Sequence, residues 1–149
     1  MQKIFDQNNV FWIKEKLNWK DVIKLGVQKL VDKGQATEKL ETAILESTKQ
    51  YGAYYVLEKG IALLHAAPGN YSLKPAVSTL ILSEAVTFND QADKTARIII
   101  TLSTPDSDSH MGFIQDFAMY FMDKNFKQEI LTVQNLEQFW TVVNKYKGD

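Results

Sequence analysis

Ala96-Arg97-Ile98-Ile99-Ile100-Thr101-Leu102 is apolar almost throughout, with three isoleucines at its centre. A strand with one wet face would alternate apolar and polar residues. A run that stays apolar at odd and even positions alike suits a central strand covered on both faces. Upstream, Ala76 to Leu82 is alternating and β-branched enough to be a second strand, and Val86-Thr87-Phe88 reads as its extension after a bend. Asn89 to Asp93 is a polar loop. Tyr54-Tyr55-Val56-Leu57 and Ile61-Ala62-Leu63-Leu64 are short strand-like segments, followed by a turn at Pro68-Gly69-Asn70. Val10-Phe11-Trp12-Ile13 is one more β-prone run.

Helical spacing fills the gaps. Asn18 reads as an N-cap with Asp21 near the helix dipole, and Val22, Ile23, Val27, Leu30 and Val31 share a face that ends at Gly34. A second helix starts near Thr37, carries Leu40, Ala43, Ile44 and Ser47 inward, and stops at Tyr51-Gly52. After Pro105, Phe113, Ile114, Phe117, Ala118 and Phe121 form an apolar stripe that core packing explains without a cofactor box. Phe126 to Val133 is a short helix. Leu136 to Tyr146 is another, capped by Asn135, with Leu136, Phe139, Trp140 and Val143 inward and Trp140 as a core anchor. These elements make an α/β layered domain, a mixed sheet with helices on both faces.

The 149 residues are 45% hydrophobic and 23% charged, which fits one globular domain over residues 1–149. The net charge is −1 and no Lys/Arg block occurs, so no nucleic-acid partner is expected. With no cysteine there is neither a disulfide framework nor a thiolate metal site. Met1 to Val10 contains Asp6 and several amides, unlike a signal peptide, and the apolar runs are too short to span a bilayer. The expected compartment is the cytoplasm.

Chemistry rests on the two histidines. His65 closes Gly60-Ile61-Ala62-Leu63-Leu64-His65-Ala66-Ala67-Pro68-Gly69, and His110 lies in Pro105-Asp106-Ser107-Asp108-Ser109-His110-Met111-Gly112-Phe113. Each follows a strand-like run, so both imidazoles are expected at one rim of the sheet. Without cysteine, histidine is the best nucleophile present, and its ordinary pKa of about 6.5 leaves much of it neutral at physiological pH. Phosphoryl transfer to imidazole needs a free ring nitrogen, a fixed tautomer and donors for the phosphoryl oxygens. His110, in the first turn of a helix, could supply a proton there, and Ser107 and Ser109 could supply hydroxyls. Asp106 and Asp108 would repel a phosphoryl group unless they point away, and one of them could orient a histidine ring. The blander alternatives are a structural histidine at position 65 and a plainly capped helix. A metal site built from the two histidines and Asp106 or Asp108 lacks ligand spacing, so neither a metal nor another cofactor is expected. No Walker loop, dinucleotide fingerprint, His-Glu-x-x-His helix or serine elbow occurs.

Tyr51-Gly52-Ala53-Tyr54-Tyr55-Val56, then Gly60 to Ala66, then Pro105 to His110, resemble the enzyme IIA domain of the bacterial sugar phosphotransferase system. The likeness is to the mannitol/fructose superfamily and, within it, to the ascorbate-type branch. It covers nearly the whole chain. It implies a mixed five-stranded sheet flanked by helices. It implies that His65 is phosphorylated at Nε2 by the histidine-containing phosphocarrier protein (HPr) and passes the group to a cysteine of the cognate enzyme IIB. The membrane enzyme IIC would import the sugar, ascorbate on branch likeness. His110 matches the family's second active-site histidine, which steadies the phosphoryl group. Leu64 stands where many members have proline, and Ala67 where many have arginine. A regulatory domain of the same fold, whose phosphorylation controls partner binding without transport, is the alternative.

Overall fold

The computed structural model describes residues 2–147. Met1 and residues 148–149, part of the expected 1–149 unit, lie outside the described residues. In chain order the elements are β1 (Val10–Ile13), α1 (Trp19–Val31), α2 (Lys39–Tyr51), β2 (Val56–Glu58), β3 (Gly60–Leu64), β4 (Ala76–Thr87), β5 (Thr95–Ser103), α3 (Ser107–Phe121), α4 (Lys124–Ile130) and α5 (Leu136–Tyr146). The strands form one mixed five-stranded sheet in the order β1-β4-β5-β3-β2. β1 is parallel to β4, β4 antiparallel to β5, β5 parallel to β3, and β3 antiparallel to β2. The α/β architecture with helices on both faces is the one expected.

The isoleucine run explains the layering. Ile99 joins the core under α1 and α2, with Val22, Ile23, Leu30 and Ile44. Ile98 and Ile100 join the opposite core, with Phe113 of α3, Phe126 of α4 and Phe139 of α5. All three isoleucines are fully buried. Successive side chains of a strand point to opposite faces, so β5 must be apolar at both parities.

Helix boundaries follow local chemistry. The Asn18 side chain accepts from the Asp21 N–H at 2.9 Å and starts α1. Beyond the last residue of α1, Gly34 takes φ +68° and closes the helix with Gly34 N–H to Val31 O and Gln35 N–H to Leu30 O, both at 2.9 Å. Asp106 caps α3 and Asn135 caps α5 by the same side-chain device. The single arginine, Arg97, sits where the β3–β5 register shifts. Its guanidinium donates to the carbonyls of Leu82, Leu131 and Val133, each at 2.9 Å, and ties the α4–α5 connection to the sheet.

Four local expectations are corrected. Tyr54 and Tyr55 are not strand: Gly52 turns the chain at φ +74°, the Gln91 side chain accepts the Ala53 N–H, and pairing begins only at Val56. Phe88 does not extend β4. It opens a 3-10 turn over Phe88–Asp90 and is fully buried, while Asn89 and Asp90 take positive φ. On α2 the inward residues are Leu40, Ile44 and Thr48, with Ala43 and Ser47 only partly covered. Trp140 is likewise only partly buried, because Phe139 holds the core position beside it.

α1 lies directly on the sheet at Gly26. A Cβ there would come within 2.4 Å of Thr101 Oγ1, and Ser78 Oγ donates to the Gly26 carbonyl at 2.8 Å. Replacing an interior helical glycine by alanine gains about 1 kcal/mol of propensity. Here the clash is with a short, stiff side chain on a central strand, and overpacking costs about 1–3 kcal/mol. Gly26→Ala therefore lowers stability by a net ~1 kcal/mol, read from the denaturant midpoint at unchanged slope; a midpoint that rises would show that α1 has room to move away.

Candidate active site

β3 and β5 are parallel neighbours, with Leu64 opposite Thr101. Both strands therefore end at the same rim. His65 is the first residue beyond β3, and His110 lies in the first turns of α3, which begins four residues beyond the last residue of β5. The two imidazole centroids are 5.8 Å apart.

His65 lies two residues after Leu63, whose side chain belongs to the core beneath α3. That parity turns its ring toward the α3 face. His65 Nδ1 is 2.6 Å from the Leu63 carbonyl oxygen. A carbonyl only accepts, so Nδ1 carries the proton and Nε2 keeps a bare lone pair in the neutral ring. His110 Nδ1 is 3.2 Å from the hydroxyl of buried Thr104. His65 borders a groove of about 400 Å³ between β2–β3 and α3, lined by Leu57, Ile61, Leu63, Ile114, Phe117 and Met122 among others. No lysine or arginine lines it. Leu57 and Met122 are exposed at its rim.

The other candidates are placed differently. The Asp106 carboxylate caps α3 by accepting the Ser109 N–H at 2.7 Å, and neither it nor the Asp108 carboxylate is bonded to a histidine ring. The orienting partners are instead the Leu63 carbonyl and the Thr104 hydroxyl. Ser109 is buried, and its hydroxyl donates to the Asp106 carbonyl at 3.1 Å, so its proton serves the cap. Ser107 is exposed at the start of α3. Among the described residues no group of three or more His, Cys, Asp or Glu side chains gathers as a metal site. No helix among them is long and apolar enough to cross a membrane.

The family profile described as "Phosphoenolpyruvate-dependent sugar phosphotransferase system, EIIA 2" matches residues 3–146. The chain belongs to this enzyme IIA family. Its members are phosphotransferase components that carry phosphoryl groups. The mannitol-specific cryptic phosphotransferase enzyme IIA component of Escherichia coli (strain K12) is 29% identical over 141 residues, 95% of each chain. The ascorbate-specific enzyme IIA component of Shigella boydii is 29% identical over 110 residues, 72% of this chain and 71% of that one. A solution structure of the mannitol-specific cryptic enzyme IIA of Escherichia coli superposes with a TM-score of 0.82, covering 95% of this chain and 96% of that one at 29% identity. The complex of Escherichia coli mannitol enzyme IIA with phosphorylated enzyme IIB shares the fold at a TM-score of 0.77 and 18% identity, covering 95% and 97%.

In this enzyme IIA chain, burial holds the His65 imidazole below its ordinary pKa of 6.5. The nearby His110 pushes the same way, and the Leu63 carbonyl, by accepting from the ring, opposes them. The folded ring prefers to be neutral, whereas the unfolded ring takes a proton near pH 6.5. The contribution of His65 to stability is complete above about pH 6.5 and is lost as pH falls through the depressed folded value. A ring-nitrogen NMR titration checks this: the His65 midpoint lies below 6.5, and a midpoint above it would show that burial does not dominate.

Proposed function

We propose that His65 is the phosphoacceptor and that the chain carries a phosphoryl group between protein partners of a sugar phosphotransferase system. The observation that carries this is the Nδ1–H···O=C bond to Leu63, which leaves Nε2 bare beside a second imidazole and a partly exposed apolar groove. Such a groove, without lysine or arginine in its lining, suits a protein surface better than a free anionic metabolite.

On this reading the donor is phosphohistidine of HPr. The His65 Nε2 lone pair attacks phosphorus. A new N–P bond forms as the donor's N–P bond breaks and the electron pair returns to the donor ring. A cysteine thiolate of the cognate enzyme IIB then attacks. The S–P bond forms, the His65 N–P bond breaks, and His65 regains its lone pair. The complex of Escherichia coli mannitol enzyme IIA with phosphorylated enzyme IIB supports that order of partners. His110 donates to a phosphoryl oxygen, and Ser107 is left to solvent. Residues 1–149 act as one enzyme IIA domain in the cytoplasm, with the membrane enzyme IIC served through IIB. Relatives named for ascorbate support ascorbate as the transported substrate, while relatives named for mannitol keep a hexitol in play.

Incubation with phosphoenolpyruvate, enzyme I and HPr, read by intact mass, tests the assignment. Wild type gains one acid-labile phosphoryl group and His65→Ala gains none. A His65→Ala protein that still labels removes His65 as acceptor. His110→Ala keeps the acceptor and loses roughly a hundredfold in rate, the typical effect of removing one preorganised donor. An unchanged rate would reduce His110 to a neighbour of the site.

A further inference from the structure

The segment His65-Ala66-Ala67 has no regular secondary structure, and its side chains beyond the histidine are single methyl groups. It must nevertheless hold an imidazole steady. Two tyrosine hydroxyls bind its backbone. Tyr54 donates to the carbonyl of His65 itself at 2.5 Å, and its ring meets the imidazole edge-on with centroids 5.2 Å apart. Tyr71 donates to the carbonyl of Ala67.

Both tyrosines are rooted in the α2 side of the molecule. Tyr54 packs edge-on against Tyr55, centroids 5.0 Å apart. Tyr55 is fully buried and its hydroxyl is 3.0 Å from that of Thr48 on α2. The Tyr71 carbonyl accepts the Thr37 N–H at 2.8 Å just before α2 begins. Burial pushes both tyrosine hydroxyls above their ordinary pKa, so both remain donors at physiological pH.

Resting on the reading of His65 as phosphoacceptor, we propose that Tyr54 and Tyr71 are positioning residues for phosphoryl transfer. Their hydroxyls fix the two carbonyls that bracket the His65–Ala67 bend, and so hold the imidazole with Nδ1 on Leu63 and Nε2 free. The Leu63 bond alone cannot do this. It joins His65 to a residue two places earlier, and a free backbone at position 65 would let the ring swing away from it. A nucleophile held in one orientation avoids the entropic cost of finding it in each encounter. Tyr54 contributes more, because it touches both the carbonyl and the ring.

The test uses the full chain as wild type, Tyr54→Phe and Tyr71→Phe. Two-bond proton–nitrogen spectra of the unphosphorylated protein report the His65 tautomer, and labelling through HPr reports the rate. Wild type shows a protonated Nδ1 and a bare Nε2. Tyr54→Phe shifts both ring nitrogens toward the average of the two tautomers and slows acceptance about tenfold, the usual reach of one hydrogen bond. Tyr71→Phe moves both readouts in the same direction by less. Variants with the wild-type nitrogen pattern overturn the proposal, whether or not they lose stability or rate. So does a shifted pattern with unchanged rate. A wild type that accepts no phosphoryl group sinks the phosphocarrier reading itself, and the nitrogen spectra then still decide whether the tyrosines hold the ring.

Discussion

Parallel pairing of β3 with β5 is the constraint on which the site depends. Two adjacent strands that run the same way must deliver their following loops to the same rim. The register, with Leu64 opposite Thr101, sets how far each loop travels before its histidine appears. The sheet can hold this pair at its middle because Ile98, Ile99 and Ile100 are buried on both faces. A shift of one residue would send Leu63 and the His65 ring to the α1–α2 side and leave the groove beneath α3 without its imidazole.

The electrostatics of the rim favour a neutral imidazole. The only arginine is occupied by three backbone carbonyls at the other end of β5, and Ala67 puts no charge beside His65. Burial and the second imidazole both favour an uncharged His65 ring. On the proposed reading, the stabilising donors for an incoming dianion come from His110, from backbone N–H groups and from the docked partner. That division suits a carrier. A group bound too tightly by its own site would not be passed on.

Much of this was legible in the chain. Period and caps marked α1 and α5 because Asn18 and Asn135 each have a short polar side chain ahead of an apolar stripe, and α3 was marked by its own stripe after Pro105. The both-faced isoleucine run marked the central strand. The two histidines were legible as a pair because each ends a strand-like run. The orienting bonds were not. The acceptor for His65 is a backbone carbonyl, which carries no residue identity, and the partner of His110 is a threonine indistinguishable in sequence from its neighbours. Asp106 looked equally able to orient a ring or cap a helix, and the helix's unpaired N–H groups took it. Tyr54 was hidden because aromatic pairs read as strand, while the turn at Gly52 decides otherwise.

The central claim is that the Leu63 carbonyl chooses which nitrogen of His65 reacts. Phosphorylating the nitrogen-15-labelled protein and measuring nitrogen–phosphorus coupling on the His65 ring tests it directly. Coupling to Nε2, with Nδ1 still protonated, is the result this account predicts. A phosphorus bonded to Nδ1 would mean that the Leu63 bond breaks before transfer, and that the geometry described for the resting site is not the one that reacts.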